Sequence, residues 1–580
     1  MDAVFGDRKV SPRQYEIRNE YDVSVPMRDG VKLNVNISRP DSKGKFPALV
    51  GLAPFNLDFQ DDYIWPSAAR SSRVRGTPSV NIESGPRDFF VRRGYVKVTG
   101  SSRGTGKSGG VFQYTGVKEV EDNYDLIEWV AKQPWCNGSV GMAGIAYYAG
   151  LEPLIAAMQP PHLKAIAPLF SFWDDYRYFW WTGGILANGF LKWVNNLVNN
   201  DIHTDRSVLL DELGEKKFKE AIAYALADKD ISADPGLVGI LKNPFALGNA
   251  SVIDILLHPA ICPYWEERGA KIAFDKIKIP AYFGVVTHRP GAMYHWQEFK
   301  GPKKMVYVPP AYVDRPFYQF AWELLRWFDH WLKGMDTGIQ DEPPVRIFVT
   351  GANEWLNAAD FPVPGTKYIP FNLHENHSLC EIEPWPEAEA LSYDDSPASR
   401  GSIKYSSAPM VENTEIVGLA SLKLYTSCRG TDMNIFASLW DADPDGKETC
   451  LGRGYLKASH REMDAKLSKP WHPVPKDTNP QPVIPGQVYE LAIGFSPLSN
   501  LFKVGHRIVL KISSADDDPE NLFQVGMYHL CSQTPNTVTV YHNAQYPSHL
   551  LLPITRGNII GTYVSGGDIS LKNKEFMKLK

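Results

Sequence analysis

Closely spaced cysteines are missing from this sequence. Its six cysteines lie at positions 136, 262, 380, 428, 450 and 531. None of them forms the CxxC or CxxH spacing of a zinc site, and their scatter is unlike a disulfide framework. No cluster of His, Asp and Glu has metal-ligand spacing either. We therefore expect isolated thiols, with no metal and no other cofactor.

Long apolar runs and an excess of basic charge are missing as well. No run reaches the roughly 20 residues of a transmembrane helix. Residues 1–22 are polar and charged, unlike a secretory leader. The net charge is −5, and there is no basic stripe. These absences predict a cytoplasmic protein whose partners include neither a membrane nor a nucleic acid.

Alternating strand and helix patterns are present over residues 20–150. The stretch FPALVGLAPF (46–55) is a continuous apolar run that ends in a turn, as a buried parallel strand does. The stretch EVEDNYDLIEWVAKQ (119–133) has the spacing of an amphipathic helix. Strands that alternate with helices predict a parallel sheet, so the expected fold class is α/β.

The pattern changes twice along the chain. Residues 166–275 are aromatic and helical, and they predict a cap inserted into an α/β domain made of residues 1–165 and 276–345. Over residues 346–580 the strand pattern is short and dense, and it is broken by Pro, Gly, Asn and Asp. That spacing predicts a separate all-β sandwich domain.

The strongest local motif is GMAGIAYYAG, residues 141–150. It follows an apolar strand, makes a small-residue turn and leads into an apolar helical run. An α/β-hydrolase places its serine nucleophile in such a context, in a G-x-S-x-G elbow. Gly144 is in place, but Ala146 stands where the serine belongs. The backbone N–H of Tyr147 is still expected to point into an oxyanion hole.

Two other motifs are interpreted as structural. The glycine-rich RGTGKSGG (103–110) fails the P-loop spacing and predicts a loop at a strand end. The acidic DADPDGKE (441–448) lacks the frame of about 12 residues that a calcium loop needs, so we expect a hairpin turn. His330 has apolar neighbours on a helix and is expected to be structural.

Several longer stretches share a wider pattern. They are VPMRDGVKLNVNISRP, RRGYVKVTGSSRGTGKSGG, GMAGIAYYAG, RWFDHWLKGMDTGIQDEPPVRIFVTGANEW and FKVGHRIVLKISSAD. Together they resemble the Xaa-Pro dipeptidyl-peptidase-like (cocaine esterase) family of α/β-hydrolases, over about residues 20–555. The resemblance implies an α/β-hydrolase domain, a helical cap and a C-terminal jelly-roll-like domain. It also implies ester, amide or acyl-transfer chemistry at a Ser-His-Asp triad.

The sequence departs from that family pattern at four positions. The nucleophile position is Ala146, and the position of the oxyanion tyrosine is Phe55. Thr287 or His288 stands where the family has its acid, and Tyr312 stands roughly where it has its histidine. These departures leave two explanations open for residue 146.

In the first explanation, Ala146 is a substitution introduced to inactivate a serine hydrolase or acyltransferase. His288 would then be the base and Asp314 would orient it, because a triad is defined by geometry and not by order. In the second, the substitution is natural. The pocket would then serve a non-hydrolytic step such as cyclisation, isomerisation or elimination, with His288 or Tyr312 as acid or base, or it would bind a ligand without catalysis.

The aromatic stretch SFWDDYRYFWWTGGILANGF (171–190) would cover the elbow if the family architecture holds. It predicts a small apolar or aromatic substrate: an ester, a lactone or an amide for the hydrolase, or a natural product for the alternative non-hydrolytic enzyme. A homodimer is a further expectation. The predicted substrate-binding residues are Trp173, Asp175, Tyr176, Phe179, Trp180 and Trp181.

Overall fold

The computed structural model describes most of the chain. The described residues are 9–54, 57, 83–171, 173–188, 191, 206–242, 250–270, 274–286, 291–308, 316–395, 401–516 and 536–557.

The described residues form strands and helices in the following order. The strands are β1 Ile17–Pro26, β2 Lys32–Pro40, β3 Phe46–Ala53, β4 Val96–Ser101, β5 Cys136–Ile145, β6 Leu163–Leu169, β7 Trp181–Thr182, β8 Ile185–Leu186, β9 Ala281–Val285, β10 Lys303–Tyr307, β11 Val345–Val349, β12 Glu354–Ala358, β13 Lys367–Leu373, β14 Leu379–Cys380, β15 Leu391–Asp395, β16 Ser402–Ser406, β17 Thr414–Gly418, β18 Ser421–Cys428, β19 Asn434–Ala442, β20 Glu448–Lys457, β21 Tyr489–Gly494, β22 Leu498–Phe502, β23 Arg507–Ser513, β24 Asn536–Tyr541 and β25 His549–Arg556. The α-helices are α1 Arg87–Val91, α2 Val117–Ala131, α3 Tyr147–Ala157, α4 Ser207–Leu213, α5 Glu215–Ala227, α6 Lys229–Ser232, α7 Pro235–Lys242, α8 Ala250–Leu257, α9 Pro263–Trp265, α10 Gly291–His295 and α11 Pro316–Lys333.

A ten-stranded sheet in the order β1-β2-β4-β3-β5-β6-β9-β10-β11-β12 is the centre of the first domain. Strands β4 to β11 in that order run parallel, and β1, β2 and β12 complete the edges in antiparallel pairs. Every residue of β3 is buried, as expected for a strand covered on both faces. The predicted α/β class is confirmed, and helices α2, α3 and α11 pack on the sheet.

The predicted domain boundaries differ from the observed strands at two places. The boundary after residue 165 falls inside β6, and the boundary after residue 345 falls at the first residue of β11. Both strands pair with parallel neighbours, β6 with β5 and β11 with β10. The sheet therefore continues through β12 to Ala358. The sequences of β11 and of the edge strand β12 resemble those of the β domain because alternate positions of β11 and most positions of β12 are only partly buried.

The described residues between β6 and β9 are mainly helical, with helices α4 to α9 and, among those residues, one very short hairpin, β7–β8. Its core is rich in large rings. A buried cluster joins residues of the aromatic stretch to helices α8 and α9. Its largest members are Tyr176, Trp180, Trp181 and Trp265.

The described residues of the C-terminal region form antiparallel strands in two sheets, one of nine strands and one of four. The four-stranded sheet has the order β16-β23-β19-β20. One buried core contains side chains of both sheets, for example Leu424 from β18 and Leu439 from β19. The predicted all-β domain is confirmed, while the jelly-roll connectivity stays a prediction.

Several smaller predictions can be compared with the described residues. The acidic stretch 441–448 makes the hairpin between β19 and β20, in which Asp443 Oδ1 accepts the N–H of Lys447 at 2.8 Å. Five of the six cysteines are described, and all five are free thiols. Within the described part of the chain, no group of three or more His, Cys, Asp or Glu has a metal-binding arrangement, and no helix is long and apolar enough to cross a membrane.

Candidate active site at the end of β5

The turn between β5 and α3 is an elbow with Ala146 at its tip. Ala146 has φ 53° and ψ −110°, a conformation that side-chain-bearing residues rarely adopt. Its N–H donates to the carbonyl of Leu169 on β6 at 3.2 Å, and its carbonyl accepts the N–H of Gly150 at 2.9 Å. The turn is thus fixed from both sides, and it matches the strained strand-to-helix turn on which a hydrolase exposes its nucleophile.

Gly144 is required by this turn. A Cβ added at Gly144 would lie 2.2 Å from the Cβ of Tyr148, in the first turn of α3. A Cβ at Gly150 would meet no atom within 4 Å. Of these two small residues, only Gly144 allows the close approach of strand and helix. Gly144 therefore permits a nucleophile-elbow turn around Ala146, although the side chain of Ala146 is only a methyl group.

A pair of buried ionisable residues lies on the elements beneath the elbow. Glu152 of α3 is fully buried, and its Oε2 accepts the N–H of Ala167 on β6 at 2.9 Å. Lys97 of β4 is 2% exposed and donates to the carbonyl of Ser84. Burial raises the pKa of Glu152 and lowers the pKa of Lys97 to about 7. Their hydrogen bonds to the backbone attach α3 to β6 and β4 to residue 84.

The side chain of Tyr147 starts a hydrogen-bond network beside the elbow. Its hydroxyl donates to Oε2 of Glu119 at 2.5 Å and accepts the N–H of Thr115 at 3.2 Å. The other carboxylate oxygen of Glu119 accepts the hydroxyl of Ser102, which follows β4. The network joins Ser102 at the C-terminal end of β4, residues at the start of α2 and Tyr147 at the start of α3.

Two carboxyl groups in this region have pKa values near neutrality. Burial raises the pKa of Glu119 to about 7, although the hydrogen bonds from Ser102 and Tyr147 lower it. Burial likewise raises the pKa of Asp175 to about 7, against the hydrogen bond from Thr115. A carboxyl group that exchanges its proton near pH 7 is suited to general acid–base work.

Asp175 connects the cap to this network. Its Oδ2 accepts the hydroxyl of Thr115 at 3.0 Å, so Thr115 contacts Tyr147 through its backbone and Asp175 through its side chain. Tyr114 packs edge-on against both Tyr147 and Trp180, with ring centroids 5.6 Å apart in each pair. The structure thus brings Asp175 and Trp180 close to the elbow residue Tyr147.

The other predicted substrate-binding rings are packed inside protein. Tyr176 and Trp181 are 0% exposed, and the hydroxyl of Tyr176 donates to the carbonyl of Pro259 at 2.8 Å. Phe179 packs on Trp180 with ring centroids 4.3 Å apart. Trp173 packs on Phe283 of β9. These contacts give the rings a packing role, and their contact with a substrate stays a prediction.

The remaining predicted site residues lie outside the described part of the chain. They are Phe55, His288, Tyr312 and Asp314, together with Thr287. The strands that precede them are described: β9 and β10 run parallel to β6, so their carboxyl ends lie at the same edge of the sheet as Ala146. The roles assigned to these residues stay predictions.

Sequence reasoning missed Glu119, Thr115 and Ser102. The run that contains Glu119 was assigned to an amphipathic helix, and none of its charged residues was proposed as a site residue. In the structure Glu119, Asp122 and Asn123 are each 1% exposed. A signal was present in the neighbouring loop, where a serine pair and an arginine directly follow a buried strand and need partners inside the protein.

The glycine-rich loop is structural, as predicted. Arg103 makes two hydrogen bonds to Asp122 of α2, at 2.7 and 2.5 Å, and a third to Asp29 at 3.1 Å. A Cβ at Gly104 would lie 2.3 Å from the backbone nitrogen of Phe112. Lys107 points outward to Asp22 at 2.6 Å. Arg103 thus attaches the loop to α2, the helix that carries Glu119.

The sheet order together with the strained elbow after β5 defines an α/β-hydrolase-type enzyme domain. Comparison with known proteins agrees with this class. The X-Pro dipeptidyl-peptidase (S15 family) model matches residues 29–309, and the X-Pro dipeptidyl-peptidase C-terminal non-catalytic domain matches residues 337–551. The two matches account for most of the chain, and the protein belongs to the X-Pro dipeptidyl-peptidase (S15) family.

Individual relatives span nearly the same length. Cocaine esterase of Rhodococcus sp. (strain MB1 Bresler) is 27% identical over 92% of this chain and 98% of its own. A CocE/NonD family hydrolase from Staphylococcus aureus is 25% identical, with a TM-score of 0.75 over 93% of this chain and 94% of its own. An α-amino acid ester hydrolase shares the fold at 18% identity, with a TM-score of 0.71 over 95% of this chain and 99% of its own.

Proposed function

We propose that this protein is a serine-hydrolase-type enzyme for a small apolar ester, lactone or amide, in which Ala146 occupies the place of the nucleophile. The observation that carries the proposal is the backbone of Ala146, with φ 53° and ψ −110°. A strained conformation of this kind costs about 1–3 kcal/mol. An ordinary strand-to-helix turn does not need this backbone conformation, whereas a nucleophile elbow does, because it exposes the side chain at its tip.

The methyl group of Ala146 cannot attack a carbonyl carbon. The chain as it stands is therefore expected to bind its substrate without forming an acyl-enzyme. The relatives support ester or amide bonds as the class of substrate, because they bear the names of an esterase, hydrolases and dipeptidyl-peptidases. Phe55 and Tyr312 are further departures that one introduced change at residue 146 does not explain.

The test restores the nucleophile. Ala146→Ser and, as a matched control, Ala149→Ser would each be treated with a fluorophosphonate and measured by intact mass. Ala149 lies three residues further on, inside α3, and is fully buried. A serine oxygen at residue 146 would displace fluoride from phosphorus, and its proton would pass to a base. We expect an adduct with Ala146→Ser alone.

The same assay tests the other expected residues. If His288 is the base, adding His288→Ala to Ala146→Ser abolishes the adduct, and Asp314→Asn slows its formation. A folded Ala146→Ser protein that forms no adduct would contradict the proposed serine-hydrolase site. It would show that acyl chemistry needs more than the missing serine.

A second candidate function is proton transfer at carbon, as in an isomerase, cyclase or lyase. The hydrogen bond between Tyr147 and Glu119, with the pKa of Glu119 raised to about 7, favours it. Such a dyad would exchange the acidic hydrogen of a bound carbonyl compound with solvent. Incubation of ketones and lactones in D₂O, followed by NMR, tests this. Exchange that is lost in Glu119→Gln and kept in Glu121→Gln would support it, and absence of exchange would exclude it for those compounds.

A further inference from the structure

Strand β5 begins with a bulge at residues 137–139. Cys136 pairs with Phe46 of β3, and the next pair in that ladder is Val140 with Ala48. The pairing of β5 with β6, on its other side, also starts at Val140. Residues 137–139 therefore lie between consecutive pairs, and their backbone is outside the regular part of the strand.

The bulge contains an exposed Asn-Gly pair with a weakly held peptide group. Asn137 is exposed to solvent. The N–H of Gly138 donates to the Sγ of Cys136 at 3.4 Å, and sulfur is a weaker acceptor than a carbonyl oxygen. A Cβ added at Gly138 would meet one atom within 4 Å, the Cδ2 of His162 at 3.9 Å. The space beside the backbone of Gly138 is therefore open.

The side chain of Asn137 is folded back over this peptide group. Its Oδ1 accepts the N–H of Ser139 at 2.9 Å, which makes an Asx turn. The ring closed by this hydrogen bond contains both the Cγ of Asn137 and the backbone nitrogen of Gly138. Glycine also offers the least steric hindrance to an approach of these two atoms, because it has no Cβ.

The sequence contains three other pairs of Asn or Asp with glycine: Asn188 with Gly189, Asp29 with Gly30, and Asp445 with Gly446. In both Asp-Gly pairs the glycine N–H donates to a backbone carbonyl, that of Met27 at 2.9 Å and that of Asp443 at 3.0 Å. Asn188 is only 1% exposed. Asn137 thus differs from the two Asp-Gly pairs in the acceptor of the glycine N–H, and it differs from Asn188 in its exposure.

We propose that Asn137 is a site of spontaneous deamidation, through a cyclic imide formed with Gly138. The backbone nitrogen of Gly138 loses its proton and attacks the Cγ of Asn137. A carbon–nitrogen bond forms there, and the side-chain nitrogen takes up a proton and leaves as ammonia. Water then opens the imide at either of its two carbonyl carbons, which gives aspartate or isoaspartate at residue 137. Water is the only co-reactant, and no oxidant or reductant is needed.

Both products alter the start of the strand that leads to the elbow. Each places a carboxylate at residue 137, and isoaspartate also adds a carbon atom to the backbone. The paired part of β5 starts only at Val140, beyond the bulge. We therefore expect the modified chain to keep residues 140–145 in the sheet, and to remain folded.

The test incubates the folded full chain in mildly alkaline water enriched in a heavy oxygen isotope. Acid digestion and mass spectrometry then follow the peptides that contain Asn137 and Asn188. Opening of the imide inserts a heavy oxygen, which separates this reaction from earlier damage. We expect the Asn137 peptide to be converted at least about tenfold faster, because buried Asn188 reacts only after local opening of the fold. Both aspartate and isoaspartate should form.

A variant and a free peptide complete the test. Gly138→Ala, with thermal unfolding as a check that it is folded, should slow the conversion at least about tenfold, because a Cβ hinders ring closure. A synthetic peptide of residues 134–141 shows the rate without the fold. The proposal is overturned if Asn137 in the folded chain reacts as slowly as Asn188 while the peptide reacts, if aspartate forms without isoaspartate, or if folded Gly138→Ala reacts as fast as the unmodified chain.

Discussion

The hydroxyl of Tyr147 donates a hydrogen bond to Glu119 at 2.5 Å, and Tyr147 is the residue that directly follows Ala146. Tyr147, the residue after the nucleophile position, thus takes part in two structures. Its backbone belongs to the elbow, and its side chain belongs to a buried network with a carboxyl group poised near neutral pH. This second chemical feature does not depend on which residue stands at the elbow tip.

Glu119 should make the stability of the protein fall as the pH rises. Burial raises the pKa of Glu119 to about 7 in the folded protein, from the ordinary value of 4.5. Between these values the folded protein keeps a proton that the unfolded chain has lost. Its contribution to stability is therefore complete below pH 4.5 and is lost as the pH rises through about 7.

Glu119→Gln removes this dependence. We expect the difference in unfolding free energy between the two proteins to change by at most about 1.4 kcal/mol per pH unit in that window. Urea unfolding at several pH values from about 5 to about 8 measures it. Glu121→Gln, a more exposed residue of the same helix, is the control. Identical pH profiles for both variants would contradict the raised pKa of Glu119.

Gly144 and Gly150 form a matched pair for testing the elbow. Gly144→Ala would place its Cβ 2.2 Å from the Cβ of Tyr148, so we expect a loss of about 1–3 kcal/mol in unfolding free energy. Gly150→Ala adds a methyl group in open space inside α3 and should raise it by about 0.5–1 kcal/mol. Equal effects in urea unfolding would mean that strand and helix do not approach at Gly144.

Glycine should be tolerated better at Ala146 than at Ala149. Ala146 has a positive φ, which glycine adopts without strain, whereas Ala149 lies inside α3, where glycine is unfavourable. We expect Ala146→Gly to be more stable than Ala149→Gly by at least about 1 kcal/mol. Thermal unfolding of the two variants measures the difference. The reverse order would argue against the strained backbone at Ala146.

Arg103 should be far more important than Lys107, four residues further along the same loop. Arg103 is buried and binds two carboxylates, so Arg103→Ala would leave Asp122 charged and buried without its partner. We expect a loss of about 3–5 kcal/mol. Lys107 and Asp22 are both more than half exposed, and Lys107→Ala should change stability by less than about 1 kcal/mol. Similar losses in urea unfolding would show that Arg103 does not anchor the loop.

Local sequence patterns predicted the positions of helices and strands well, but they predicted the burial and the contacts of individual side chains less well. The helix expected at 119–133 is found at Val117–Ala131, close to its predicted position. Its amphipathic pattern nevertheless gave no sign that Glu119 and Asp122 are buried, because a pattern of charges does not show which charges have partners inside the protein. The pattern of β11 and β12 was grouped with the β domain for a similar reason, since half-buried strands look alike whichever sheet they join, and in the structure both pair into the ten-stranded sheet.

The sequence by itself determined the α/β class, the elbow at Gly144 to Tyr147 and the absence of a serine at its tip. These follow from hydrophobic periodicity and from turn chemistry, which act over a few neighbouring residues. Only the tertiary structure brought Ser102, Thr115 and Asp175 around Tyr147 and Glu119. Contacts between residues far apart in sequence depend on how whole elements pack, so no local pattern contains them.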